Sequence, residues 1–93
     1  MQIKIKEQNK QMTILYIKDS HDIYELLFSY NTCIAKKYIK RYTNDFKKIY
    51  LDSKYWDYST TTSKHLNYFL NETKKETEAK IKSGEYLLTD LNN

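Results

Sequence analysis

The residues best suited to acid–base chemistry lie between Ser59 and His65, where five consecutive hydroxyl residues, Ser59 to Ser63, run into Lys64 and His65. An imidazole beside a hydroxyl can act as a general base on a nucleophile. It needs a third group to orient the ring, and Asp57 is the only nearby carboxylate that could do so. A plainer role competes: a histidine whose ring caps the chain or packs on Tyr58. The hydroxyl run has a structural use of its own. Serine and threonine start helices because a side-chain oxygen accepts from one of the first backbone N–H groups, which have no partner inside the helix. Capping occupies one or two of the five hydroxyls. The others either build the hydrogen-bonded turn or, with the free N–H groups and two basic side chains, hold an anion. Thr61, Thr62, Ser63, Lys64 and His65 are therefore candidate anion-binding residues, with a phosphorylated ligand as the occupant, and no catalytic residue is assigned.

Other catalytic machinery is missing from the sequence. His21, His65 and Cys33 are the only nitrogen or sulfur metal ligands, and no pair has the close spacing of a zinc site. There is no glycine-rich phosphate loop and no GxSxG turn. Neither a metal nor a cofactor is expected, and the chain reads as a non-enzyme.

The second constellation is basic and aromatic. Lys36, Lys37, Lys40, Arg41, Lys47 and Lys48 alternate with Tyr38, Tyr42 and Tyr50, and the cluster Tyr55, Trp56 and Tyr58 follows after Lys54. Lysine neutralises phosphate and tyrosine stacks on bases, so nucleic acid is one partner this composition suits. A single arginine argues against a protein that reads base edges in a groove, where bidentate arginine is the commonest specific contact. Tyrosine and tryptophan also dominate protein interfaces. The binding candidates are Lys36, Lys37, Tyr38, Lys40, Arg41, Tyr42, Lys47, Lys48, Tyr50, Trp56 and Tyr58. A solvated sheet face with tyrosines packed sideways is the alternative.

The rest of the chain must position these groups. Its 93 residues make one domain with a modest core, and the net charge of +4 suits acidic partners. Part of the lysine and tyrosine excess is what AT-rich coding produces. Cys33 has no disulfide partner in the chain, nothing at the N-terminus resembles a signal peptide, and no apolar run reaches the roughly 20 residues that span a bilayer. A cytoplasmic protein with no membrane contact is expected.

Ile3 and Ile5 alternate with lysines as in a half-exposed strand, and Met12 to Ile17 is apolar on both faces, so residues 1–18 form an N-terminal hairpin. Residues 23–58 form a second hairpin region. Within it, Ile23 to Tyr42 fits helix and strand periods alike. Its aromatic and β-branched residues, with Ser29, Asn31 and Thr32 in mid-segment, favour strand with a bend near Asn31. Thr43 to Asp45 is a turn before a strand over Phe46 to Leu51. A helix follows over 61–83, with Leu66, Phe69, Leu70 and Ile81 on one face, its far half reaching into solvent and Gly84 ending it. Residues 85–93 are a tail, read as a short helix or strand. The expected architecture is α+β: a small antiparallel sheet of about four strands with one long helix packed on it.

Two blocks, Ser29-Tyr30-Asn31-Thr32-Cys33-Ile34-Ala35 and Tyr58 to Leu70, together resemble a family of short phage and mobile-element domains of unknown function. Members of that family look like "SYNTxIA", two strands with a turn between them, then "YSxTTSKHxxxFL". The resemblance covers roughly residues 26 to 72 and is more specific in the second block than in the first. It implies strands over 24–51, a helix after Thr61 and a phage or prophage origin. It supplies no reaction. Small phage proteins of this size often antagonise host defence, anti-CRISPR proteins among them, so the resemblance implies an inhibitor acting on a host protein or ribonucleoprotein complex.

Overall fold

The computed structural model of the chain describes residues 1–40 and 47–92, with Lys40 and Lys47 described by their backbone alone. Six strands form one sheet in sequence order: β1 (Gln2–Gln8), β2 (Met12–Lys18), β3 (Asp22–Ser29), β4 (Thr32–Lys40), β5 (Lys47–Asp52) and β6 (Tyr86–Thr89). The first five pair antiparallel. β6 lies parallel to β5, which requires a crossover, and helices α1 (Thr60–Leu70) and α2 (Lys74–Lys82) supply it.

Cross-strand register decides what each face carries. Met12, Ile14, Leu27, Ala35 and Leu51 point to the side on which α1 sits, and they form the core with Ile34, Leu66, Phe69 and Tyr86. Among the described residues, no helix covers the other face.

The expected mixed α+β class stands, but four strands and one long helix do not. The segment Ile23 to Tyr42 is neither a helix nor a single bent strand. Its described part is two full strands joined at Tyr30-Asn31, and the tail adds a further strand in β6. The expected helix over 61–83 is two helices. Asn71 ends α1 in the left-handed conformation (φ 55°), and Thr73 opens α2 with a capping box in which Thr73 and Glu76 each accept a backbone N–H of the other. Gly84, at φ 84°, follows α2 as its C-terminal brake. The far half is not free of the sheet: one side of α2 packs on β6, with Thr77 fully buried and its hydroxyl donating to Glu72 at 2.8 Å, while its outer side is exposed. Lys80 donates to the same carboxylate at 2.7 Å. Burial and that carboxylate push the Tyr86 phenol up to about 12. The expected turn at Thr43 to Asp45 lies outside the described residues.

Candidate functional site: the uncovered sheet face and the hydroxyl turn

Strand alternation splits the basic, tyrosine-rich hairpin between the two faces of the sheet, because neighbouring residues point in opposite directions. Lys36 and Tyr38 face the uncovered side with Lys48 and Tyr50 of the next strand and Tyr24 of the previous one. Tyr24 pairs with Tyr38, Tyr38 with Lys48, and Lys36 with Tyr50, so three rings and two ammonium groups lie side by side across three strands. The Tyr24 and Tyr38 rings lie 5.2 Å apart, and the Lys36 ammonium sits 4.6 Å from the centre of the Tyr24 ring. With Thr89 and Leu91 these five side chains line an open hollow of about 560 Å³. The Tyr38 hydroxyl donates to Asp22 at 2.5 Å, and that bond, with burial, raises the phenol to about 12.

The same face continues as an aliphatic surface on β1, β2 and β3. Ile3 pairs with Ile17, Ile5 with Leu15 and Leu15 with Leu26, while Phe28 adds a ring at the far end. Ile3 and Ile5 are each 59 % exposed. This apolar half was not legible as part of a site. Its signal was the alternation in β1, which gave a strand but not the side on which a helix would pack.

Lys37 points the other way. Its ammonium donates to the Phe69 carbonyl at 2.7 Å, caps the C-terminal end of α1 and lies 3.8 Å from the Glu25 carboxylate. Lys6 holds Glu25 from the other side at 2.7 Å. Lys37 is therefore part of the scaffold. Trp56 also lies away from the uncovered face, packed against the core beside Tyr55, and Tyr58 is exposed at the entry to α1. Arg41 and Tyr42 lie outside the described residues, as do the side chains of Lys40 and Lys47.

The hydroxyl turn is assembled differently from an anion cradle. Ser59 is the N-cap, its Oγ accepting from the Thr62 N–H at 3.1 Å. Thr62 is buried, and its hydroxyl lies 3.2 Å from Ser29 Oγ, which in turn lies 2.8 Å from His65 Nδ1. Lys64 is exposed and lies with His65 a turn beyond the cap, so the five anion-site candidates do not converge on the helix N-terminus. The two sequence blocks meet here, through Ser29 of the first and Thr62 and His65 of the second. Ser29 was the partner the sequence did not reveal, because only the fold brings residues 29 and 65 together. Ser29 is 2 % exposed, and among the described residues no carboxylate bonds His65.

Burial pulls His65 below its ordinary value of 6.5. The folded ring resists a proton that the unfolded chain accepts, so stability is full above about pH 6.5 and declines as the pH falls through and below it. Thermal unfolding of the wild type should therefore shift to lower temperature between about pH 7.5 and 5.5, and His65→Gln should flatten that slope. An equal slope in the variant would place the titration elsewhere.

Cys33 is buried beneath the C-terminal segment, where Asn92 bonds both its backbone N–H and its carbonyl. That burial, with the Asp52 carboxylate nearby, pushes its thiol up to about 11. Among the described residues, no three histidine, cysteine, aspartate or glutamate side chains cluster as a metal site, and no helix is long and apolar enough to cross a membrane.

No curated protein and no solved structure matches the chain. A family model does, over residues 3–85, which hold β2 to β5, most of β1 and both helices; the chain belongs to that family, a family of unknown function designated DUF8033.

Proposed function

We propose that the chain is a non-catalytic binding protein that holds a protein partner against the uncovered face of its sheet. The observation that carries this is the union of an aliphatic half and a tyrosine–lysine half on one face. Exposed contiguous apolar surface on a small domain marks an interaction site, and tyrosines beside it supply large, stiff contact area. Lys36 and Lys48 favour a partner with apolar side chains at its centre and carboxylates towards one edge. Ser29 supports the non-catalytic reading, since its hydroxyl is buried and held between Thr62 and His65.

The finer reading is an inhibitor of a host defence complex, made by a phage and acting in the host cytoplasm. The resemblance of residues 29–35 and 58–70 to short phage domains supports it.

A second reading rests on the neighbouring rings and ammonium groups of β3, β4 and β5, which suit the stacked bases and phosphates of a single strand. Salt separates the two. Binding to nucleic acid weakens steeply as salt rises, with a log–log slope that counts released counterions, whereas a protein interface with an apolar half keeps most of its affinity. A steep slope, with an oligonucleotide binding as tightly as any protein, would overturn the first reading in favour of the second.

A further inference from the structure

A second concavity, separate from the uncovered face, lies where the β3–β4 turn meets the entry to α1. Tyr30, Tyr55 and Tyr58 wall it, with Ser29, Thr32 and Thr62 contributing hydroxyls and Ile34 an aliphatic base, around about 260 Å³. The Tyr55 and Tyr58 rings meet edge to face at 5.6 Å. Tyr30 reaches the site from the other segment at an unusual cost in backbone conformation.

Its φ is 59°, and the Asn31 N–H donates to the Ser29 carbonyl at 3.0 Å, which closes a three-residue turn around a bulky side chain. Such turns with positive φ at the centre are rare and strained, and glycine or asparagine would occupy the position more easily. The Tyr30 N–H is also tied to the Gln11 carbonyl at 2.7 Å, so the surrounding sheet holds the conformation in place. The Tyr30 ring itself is half exposed and adds little to the core. Strain kept by the surroundings for a side chain the core does not need points to a ligand clamp.

The lining decides the ligand class. Among the described residues no charged side chain lines the site, which disfavours an anion. A cation meets Lys54, whose ammonium already lies 5.3 Å from the centre of the Tyr55 ring. Ser29 and Thr62 spend hydrogen-bonding capacity on each other and on His65, so few directional bonds remain for a sugar, whose hydroxyls each need partners. Three phenol rings offer much more in stacking. The volume is below the roughly 300 to 1,000 Å³ usual for larger ligands and admits one ring system.

We propose that this pocket binds an uncharged planar heterocycle of the nucleobase class, stacked against Tyr30 and Tyr58 with its polar edge toward Thr32. The proposal goes beyond the protein-binding reading and does not depend on it, because the site lies away from the uncovered face.

The test is saturation-transfer NMR of the full chain with adenosine, guanosine, cytidine and uridine in turn, with glucose as the sugar control. At least one nucleoside should show saturable transfer, stronger to base protons than to ribose protons. Tyr58→Ala and Tyr30→Asn should each weaken it about tenfold, the loss of one stacking partner. Tyr30→Asn should at the same time leave the melting temperature of the free protein unchanged or raised, which separates a clamp from a structural residue. A short oligonucleotide that binds with the same sensitivity to both variants supports the pocket equally and identifies a strand as the source of the base. No saturable transfer from any nucleoside, transfer centred on ribose or glucose, or affinity unaffected by both variants would overturn the proposal.

Discussion

Asp52→Ala is expected to remove about 3–5 kcal/mol of folding stability, a large share of the roughly 5–15 kcal/mol that holds a small domain together. Asp52 ends β5 and is 2 % exposed. One carboxylate oxygen accepts from the Lys54 and Tyr55 N–H groups at 3.1 and 2.9 Å, which bends the chain out of the sheet toward α1. The other accepts from the Leu91 N–H at 2.8 Å and from the Asn92 side-chain amide at 3.1 Å, which fastens the C-terminal segment. Hydrogen bonds to a charged acceptor contribute more than neutral ones, and removing the acceptor leaves buried donors unpaired. Asp52→Asn should recover part of the loss, since its oxygen still accepts on one side while its amide meets donors on the other. Chemical denaturation of the three proteins provides the measurement. A loss under about 1 kcal/mol for the alanine variant would mean that the aromatic turn and the C-terminal segment hold themselves without Asp52.

Tyr38→Ala and Tyr50→Ala are each expected to weaken partner binding by about 2 kcal/mol, roughly thirtyfold in dissociation constant. Both rings line the hollow on the uncovered face, across the sheet from the helices, so removing them takes away interface area without opening the core. Tyr38→Phe keeps the ring and loses the bond to Asp22, so it should fall between wild type and alanine. Lys48→Ala, at the exposed rim, should have a smaller effect confined mostly to the association rate. Titration calorimetry against the identified partner tests the series. If the lysine variant proved the most damaging, charge rather than ring contact would hold the complex.

How much of this was readable in the sequence depends on the distance over which each signal acts. The β1–β2 hairpin and the β4–β5 pairing follow from alternation and local turns, and a helix cap within the hydroxyl run, though not its place at Ser59, and the brake at Gly84 follow from backbone chemistry within a few residues. The break between α1 and α2 was also written locally, as Thr73 three residues before Glu76. A continuous apolar stripe through Leu66, Phe69, Leu70 and Ile81 masked it. The division at Tyr30-Asn31 was harder, because a tyrosine occupies the left-handed position and the usual glycine signal is absent. β6 pairs with a strand more than thirty residues earlier, so no local pattern announced it.

The site was legible in residue type more than in place. Lys36, Tyr38, Lys48 and Tyr50 do gather on one surface, whereas Lys37, of the same chemistry and one residue away, caps a helix on the opposite side. Trp56, which the sequence suggests as an anchor for a partner, instead packs on the core. Which face a helix covers is settled by the crossover from β5 to β6, and composition carries no record of it.

The account stands most directly on where a partner touches the chain. A photoreactive benzoylphenylalanine introduced in place of Tyr50, on the uncovered face, and separately in place of Lys75, on exposed α2, would report this in the cells where the chain is made. The uncovered-face probe should yield one discrete protein adduct that Tyr38→Ala suppresses, and the α2 probe should yield none. Adducts from α2 alone, or equal adducts from both positions that ignore Tyr38→Ala, would contradict the assignment of the sheet face as the working surface.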